Sequence, residues 1–222
     1  MIRVFALLAA LLFAAPAFAQ DNAPAPTAEQ IMAAKAHADA VITRSEAGEF
    51  FVNVTDSDIP RVRHTRSGMI CVFTTDDARD AISFYPVVAN GPARGDDVSC
   101  GSWWGTTFVS MFATRYPQAY SADDLIASAA AEIRGNWQNV VPVEGSFPII
   151  SLTGQEQPLV AAFTAEREGQ RRRTLVVLRN IDGWSFKTRA TGQVDDPEVT
   201  KMGTLAFAVS IPGGWDIFTA RD

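Results

Sequence analysis

The chain has 222 residues, 47% of them hydrophobic and 20% charged, with a formal net charge of −6. That size and composition suit one ordinary globular domain, since a chain of this length buries roughly 70% of its unfolded surface. The acidic balance argues against a protein that grips nucleic acid through its phosphates, which needs a basic face.

Residues 1–19 read as a cleavable secretory signal. Arg3 supplies the charged start and Val4 to Ala15 the apolar run; Ala17-Phe18-Ala19 gives the small-x-small pattern, with the cut after Ala19. The apolar run is shorter than the roughly 20 residues that span a bilayer. A periplasmic or secreted protein follows, with no stable membrane insertion once the signal is removed. Cleavage removes Arg3 and so takes the net charge of the remaining 203 residues from −6 to −7. Residues 20–26, rich in Pro and Ala, form a linker, and residues 27–222 a single domain.

Thr27-Ala28-Glu29-Gln30 has the form of a capping box, and Ile31, Ala34, Ala38 and Val41 follow at helical spacing. They predict a helix ending near Gly48, with His37 on its solvated side. Phe50 to Val54 reads as a strand. Arg61 to His64 and Met69 to Phe73 flank Ser67-Gly68 as a hairpin, and Ala81 to Val88 is the next strand. From Trp103 to Arg115 the pattern is that of one long strand, apolar on both faces, which predicts a central strand covered on both sides.

Ser121 caps a second helix running to Gly135, with Ile126, Ala129, Ala130 and Ile133 as its buried stripe. Four more strands follow over Phe147 to Leu152, Leu159 to Glu166, Arg172 to Arg179 and Trp184 to Ala190, joined by short turns as in an antiparallel meander. In the last of them Trp184, Phe186, Thr188 and Ala190 share one face, and Ser185, Lys187 and Arg189 the other. Asp196-Pro197-Glu198 opens a final helix. Gly203 interrupts it, so a strand over Thr204 to Ile211 remains the competing reading. The fold class expected is α+β: a single antiparallel β-sheet with helices packed on its faces, in α/β/α layers.

Cys71 and Cys100 are the only cysteines. In an oxidising compartment an even count suggests a disulfide, against the competing reading of two buried thiols. No C-x-x-C, H-E-x-x-H, G-x-S-x-G or phosphate-binding glycine loop is present, so no metal, cofactor or catalytic set is expected. Of the two histidines, His64 lies between Arg63 and Thr65 in a strand and could serve as the base of a Ser–His–Asp set. A polar strand histidine is the simpler reading. The run Arg171-Arg172-Arg173 follows a hairpin turn, where charges commonly guard a sheet edge. Trp103 and Trp104 are adjacent, so in a strand they point to opposite faces. One packs in the core or between layers; the other either meets a second covering layer or, if exposed, offers a flat contact for an apolar ligand, a sugar or a partner. Trp103 and Trp104, with His64 and Arg63, are the candidate ligand or partner surface.

Three stretches resemble secreted bacterial proteins of uncharacterised function: Arg63-His64-x-x-Ser67-Gly68-Met69-x-Cys71, Gly95-Asp96-Asp97-Val98-x-Cys100, and Asp182-Gly183-Trp184-x-x-Lys187-x-Arg189-Ala190-Thr191. The order of elements is similar to the Mog1/PsbP-like α/β/α sandwiches. That resemblance covers nearly all of residues 27–222 and implies binding or assembly rather than catalysis. It carries over no functional residue. The function expected is that of a non-enzymatic periplasmic or secreted protein binding an envelope protein or a small ligand. The alternative is a hydrolase using His64 with a serine and an aspartate.

Overall fold

The structure is a computed structural model that describes residues 25–74, 78–145, 147–149 and 156–219. The expected signal segment, the cut after Ala19 and the linker up to residue 24 lie outside the described residues. Helix α1 (Ala28–Arg44) opens on the capping box: the Gln30 N–H donates to Thr27 Oγ1 at 3.2 Å, and the Thr27 N–H to Gln30 Oε1 at 2.8 Å. Its buried stripe is Ala34, Ala38 and Val41. His37 is not on a solvated face. Its Nε2 lies 2.9 Å from Oδ2 of the fully buried Asp80 carboxylate, because residues 78–80 fold against that side of the helix and Arg44 donates to the Asp80 carbonyl.

The strands pair antiparallel throughout, and the helices pack on them, giving the α+β class expected. They form two sheets rather than one. The smaller contains β1 (Phe51–Asn53), β2 (Arg61–His64) and β3 (Ile70–Val72). The larger has seven strands: β4 (Ala81–Phe84), β5 (Asp97–Trp104), β6 (Thr107–Thr114), β7 (Gln138–Pro142), β8 (Leu159–Arg167), β9 (Gln170–Ile181) and β10 (Trp184–Gln193). Their order is β4-β5-β6-β10-β9-β8-β7. Strands β1–β3 pair only with one another and lie as a cover against the larger sheet, sharing its core through Phe51, Val62 and Cys71. Cys71 of β3 and Cys100 of β5 form an intramolecular disulfide between the two sheets, with Cα atoms 6.0 Å apart. Such bridges belong to oxidising, extracytoplasmic compartments. Among the described residues no helix is long and apolar enough to cross a membrane.

The long strand expected from Trp103 to Arg115 is instead the β5–β6 hairpin. Gly105, at φ 60°, turns the chain so that Trp104 pairs with Thr107 and Trp103 with Phe108. Residues 147–149, where another strand was expected, carry none, and residues 150–152 lie outside the described set. The edge strand β7 sits earlier, directly after helix α2 (Ala122–Asn136). Helix α3 (Glu198–Ser210) resolves the ambiguity over Thr204 to Ile211 in favour of the helix, and just ahead of it Asp196 Oδ1 accepts the Glu198 N–H at 2.9 Å. Gly203 serves this packing. A Cβ there would stand 2.9 Å from the Ala190 Cβ and 2.8 Å from Leu175 Cδ2, so only glycine lets the helix lie this close to β9 and β10. A short helix α4 (Gly214–Thr219) follows, unforeseen from the sequence.

The large sheet has two unequal faces. The inner face presents Val98, Cys100, Val109, Met111, Phe186, Ala190, Leu175 and Val177, all buried beneath α3 and the small sheet. On the outer face α2 packs on β7, β8 and β9, where Ile133, Ala129 and Ala130 meet Phe163 and Val176. Seven strands at about 4.8 Å spacing span roughly 29 Å, whereas one helix with its side chains is about 10–12 Å wide. A single helix therefore covers only part of that face. Among the described residues the outer sides of β10, β6, β5 and β4 carry no second layer, so β6 is central yet not covered on both sides as expected. Phe108 and Phe112 are only half-buried there.

Candidate functional site

The uncovered half of the outer face holds a groove of about 410 Å³. Alternation along the strands decides what lines it: Trp103 on β5, Phe108 and Phe112 on β6, Arg189 on β10, Arg172 on β9 and Arg167 on β8 all point the same way. Trp137, the residue that caps the C-terminus of α2, forms the far wall. Gly101 makes the floor possible, since a Cβ there would lie 2.9 Å from Phe108 Cζ. The Phe108 ring can therefore lie across β5, its centroid 5.4 Å from that of Trp103 and its plane tilted by 52°. The Arg79 guanidinium stands 4.7 Å from the Trp103 ring centroid.

The arginines are held rather than loose. The Arg189 guanidinium lies 5.3 Å from the Trp137 ring centroid, and its Nε donates to Thr174 Oγ1 at 3.3 Å. Thr174 is fully buried, and its hydroxyl is 3.0 Å from that of Thr191. Arg189 Nη2 is buried with no hydrogen-bond acceptor among the described residues. Burial lowers the pKa of this guanidinium, with Glu132 offsetting part of the effect. Arginine nevertheless keeps its charge at neutral pH. The Arg167 guanidinium lies 5.7 Å from the Trp137 ring centroid and its Nε 3.8 Å from the Glu168 carboxylate, and Arg172 donates to Gln170 Oε1. Three guanidinium groups and one carboxylate thus line a groove in a chain that is acidic overall.

Beyond Phe112 and Arg189 the groove continues into a hollow of about 320 Å³ that also takes in Lys187, Asp97, Glu132, Tyr85 and Tyr116. Lys187 Nζ sits 4.4 Å from the Phe112 centroid. Burial lowers the Lys187 pKa, partly offset by Glu132 and Asp97. It raises that of Asp97, against the Thr114 hydroxyl, which donates to Asp97 Oδ1 at 2.8 Å. Asp97 and the neighbouring Asp96 do not converge on a cation: Asp96 accepts from Arg66 at 3.0 Å. Among the described residues no cluster of His, Cys, Asp and Glu is placed to hold a metal ion.

Of the four residues singled out from the sequence, only Trp103 belongs to this groove. Trp104 points to the inner face and lines a separate apolar cleft with Val72, Leu205, Val209 and Trp215. Arg63 is exposed on β2, in the small sheet. His64 is completely buried among Phe51, Phe50 and Trp184. Its Nδ1 accepts the Ser67 N–H at 3.3 Å and lies 2.8 Å from Ser67 Oγ, which in turn accepts the Met69 N–H at 3.1 Å. A histidine does stand within reach of a serine, as the hydrolase reading requires. The pair nevertheless closes the β2–β3 turn inside the core, and among the described residues no aspartate hydrogen-bonds to the His64 ring. A substrate has no path to it.

Sequence reading missed Phe108, Phe112, Trp137, Arg167 and Arg189 as site residues. The signal present was the alternation in β10 that put Lys187 and Arg189 together on one face, which reads equally well as plain solvation. Arg172 was seen only as part of a charged run.

No family model matches the chain, and no curated protein matches it. Among solved structures it is similar to PA94, a protein of unknown function from Pseudomonas aeruginosa, at 11% identity and a TM-score of 0.35, over 74% of this chain and 95% of that one. It is also similar to LpqN, involved in cell envelope biogenesis of Mycobacterium tuberculosis, at 13% identity and a TM-score of 0.34, over 64% of this chain and 85% of that one. At these scores neither likeness bears on function.

Proposed function

We propose that this chain is a non-enzymatic periplasmic or secreted binding protein that takes a small ligand on the open half of its large sheet. The observation that carries the reading is the groove itself: half-buried Trp103, Phe108 and Phe112 beside arginines, on a sheet face that one helix leaves uncovered. Its volume falls in the usual range of small-molecule sites, roughly 300–1,000 Å³. The apolar floor supplies contact area, and the few polar groups at its rim set orientation. The disulfide agrees with an envelope or extracellular setting. The resemblance of the element order to Mog1/PsbP-like sandwiches would imply the same, binding or assembly rather than catalysis. The hydrolase reading loses support, because the one histidine–serine pair is sealed in the core.

The test is a nuclear magnetic resonance screen of residues 20–222 against small aromatic and saccharide fragments. Perturbed amides should concentrate along β5 and β6 and disappear in Trp103→Ala. A screen that leaves those strands untouched, together with envelope proteins retained by the wild type and lost by Trp103→Ala, would move the reading to a protein partner.

A further inference from the structure

We infer that the ligand of this groove joins a flat ring to a single carboxylate-like anion, an inference that rests on the groove being a small-molecule site. The charge distribution sets the anion's place. In a chain of net charge −6, the groove gathers Arg167, Arg172 and Arg189 against Glu168 alone. Arg167 already faces Glu168, and Glu132 acts on Arg189 from the adjoining hollow, which leaves Arg172 and Arg189 as the groove cations with no carboxylate in hydrogen-bond contact among the described residues. Arginine presents a planar fork that matches a carboxylate through two parallel hydrogen bonds. Arg189 is set up for that role. Its guanidinium lies over Trp137, 5.3 Å from the ring centroid, and is tethered at Nε to Thr174, so side-chain freedom is already reduced before binding. Its Nη2 still lacks an acceptor, which an anion at this end of the groove would supply after a small rotation of the guanidinium.

The aromatic floor sets the ring. Trp103 and Phe108 present half-buried rings 5.4 Å apart beside the arginine end, with the Arg79 guanidinium over the tryptophan. A flat ring stacks there at distances that favour offset or tilted contacts. The continuation of the groove limits the ligand further. Past Phe112 it meets Asp97 and Glu132 with Lys187 as the only additional cation, so an extended polyanion would run into carboxylates. A small monoanion ends before them.

The experiment uses residues 20–222 and two probes, 2-naphthoate and 2-naphthamide, which share a ring system and differ in charge. Affinities come from calorimetry, and the site from amide shifts. The naphthoate should bind at least about tenfold more tightly than the amide, and raising salt from about 50 to about 500 mM should shrink that advantage. Arg189→Gln and, separately, Arg172→Gln should each remove most of the charge preference, weakening the naphthoate much more than the amide. Trp103→Leu should weaken both probes alike, and Arg63→Gln, a charge removed from the small sheet, neither. Circular dichroism of each variant separates loss of binding from loss of fold; if Arg189→Gln does not fold, Arg172→Gln carries the comparison. Equal affinity for the two probes would overturn the anionic assignment and leave the binding groove standing. Failure of both probes to shift β5 and β6 at about 10 mM would overturn the groove as a small-molecule site, and the anionic assignment with it.

Discussion

Acidification should destabilise this protein through His64, and the size of the effect follows from where the ring sits. His64 is fully buried, its Nδ1 occupied by Ser67 and its faces by Phe51 and Trp184. Burial is the main reason its pKa falls from 6.5 to about 4; Arg66 adds to the fall, while Asp96 and a Gly95 backbone group oppose it. Above pH 6.5 the ring is neutral in the folded and the unfolded chain, so its contribution is complete. As pH falls towards 4, the unfolded chain binds a proton that the folded one refuses, and stability drops. Linkage gives a loss of about 2 kcal/mol by pH 5 and about 3 kcal/mol by pH 4, after which the curve flattens. Against a total of roughly 5–15 kcal/mol for a typical domain, that is a large share. The assay is urea unfolding followed by tryptophan fluorescence at several pH values between 7.5 and 4, for the wild type and His64→Asn. Asparagine keeps a polar atom near the Nδ1 position and does not titrate. The variant should start less stable but lose much less between pH 6.5 and 4.5, the carboxylates being common to both. Parallel pH profiles for the two proteins would refute the reasoning.

Removing the disulfide should cost stability through the unfolded chain. A bridge across 29 residues contributes about 3–4 kcal/mol in the chain-entropy account, so the Cys71→Ala/Cys100→Ala protein should unfold at markedly lower urea; a loss below about 1 kcal/mol would contradict it. Both cysteines are fully buried, so thiol trapping in dithiothreitol should find them protected until the protein opens globally. Two titratable thiols in denatured, unreduced protein would refute the bridge itself. Gly203→Ala gains about 1 kcal/mol of helix propensity but inserts a Cβ 2.9 Å from that of Ala190, which its strand cannot move aside. Overpacking of about 1–3 kcal/mol should outweigh the gain, and adding Ala190→Gly should recover part of the loss. A higher urea midpoint for the single variant would show that α3 does not lie so close to the sheet.

Local chemistry made some of this fold readable in advance. The Thr27–Gln30 capping box, the Ser67-Gly68 hairpin and the face alternation of Trp184 to Ala190 each concern neighbours within a few residues, where side-chain type and spacing decide the outcome. The misses have longer-range causes. Gly105-Thr106 is a weak turn signal inside an apolar run, so the β5–β6 hairpin looked like one strand. Strand β7 is a mostly exposed edge whose residues show no alternation, and only its pairing with β8 makes it a strand. Gly203 looked like a helix breaker because its reason lies in Ala190 and Leu175, near only after folding. His37 looked solvated because Asp80, 43 residues away, could not be seen to approach. The groove was hidden for a similar reason. Alternation tells which side chains share a face of a strand, but not which half of that face a single helix will reach.

The half-covered sheet also has a kinetic consequence. On the proposed reading, a groove floored by the β5–β6 and β8–β9 hairpins, with no second layer above it among the described residues, has no door among those residues to open before a ligand enters. Arrival is then limited by encounter rather than by a conformational step, and departure by contact strength alone. For an anion the approach is mixed, repelled by the acidic molecule at long range and drawn in by the arginines at short range. Salt would therefore change the rate of arrival far less than it changes the residence time. Such a protein suits a ligand that is sampled and released quickly rather than stored.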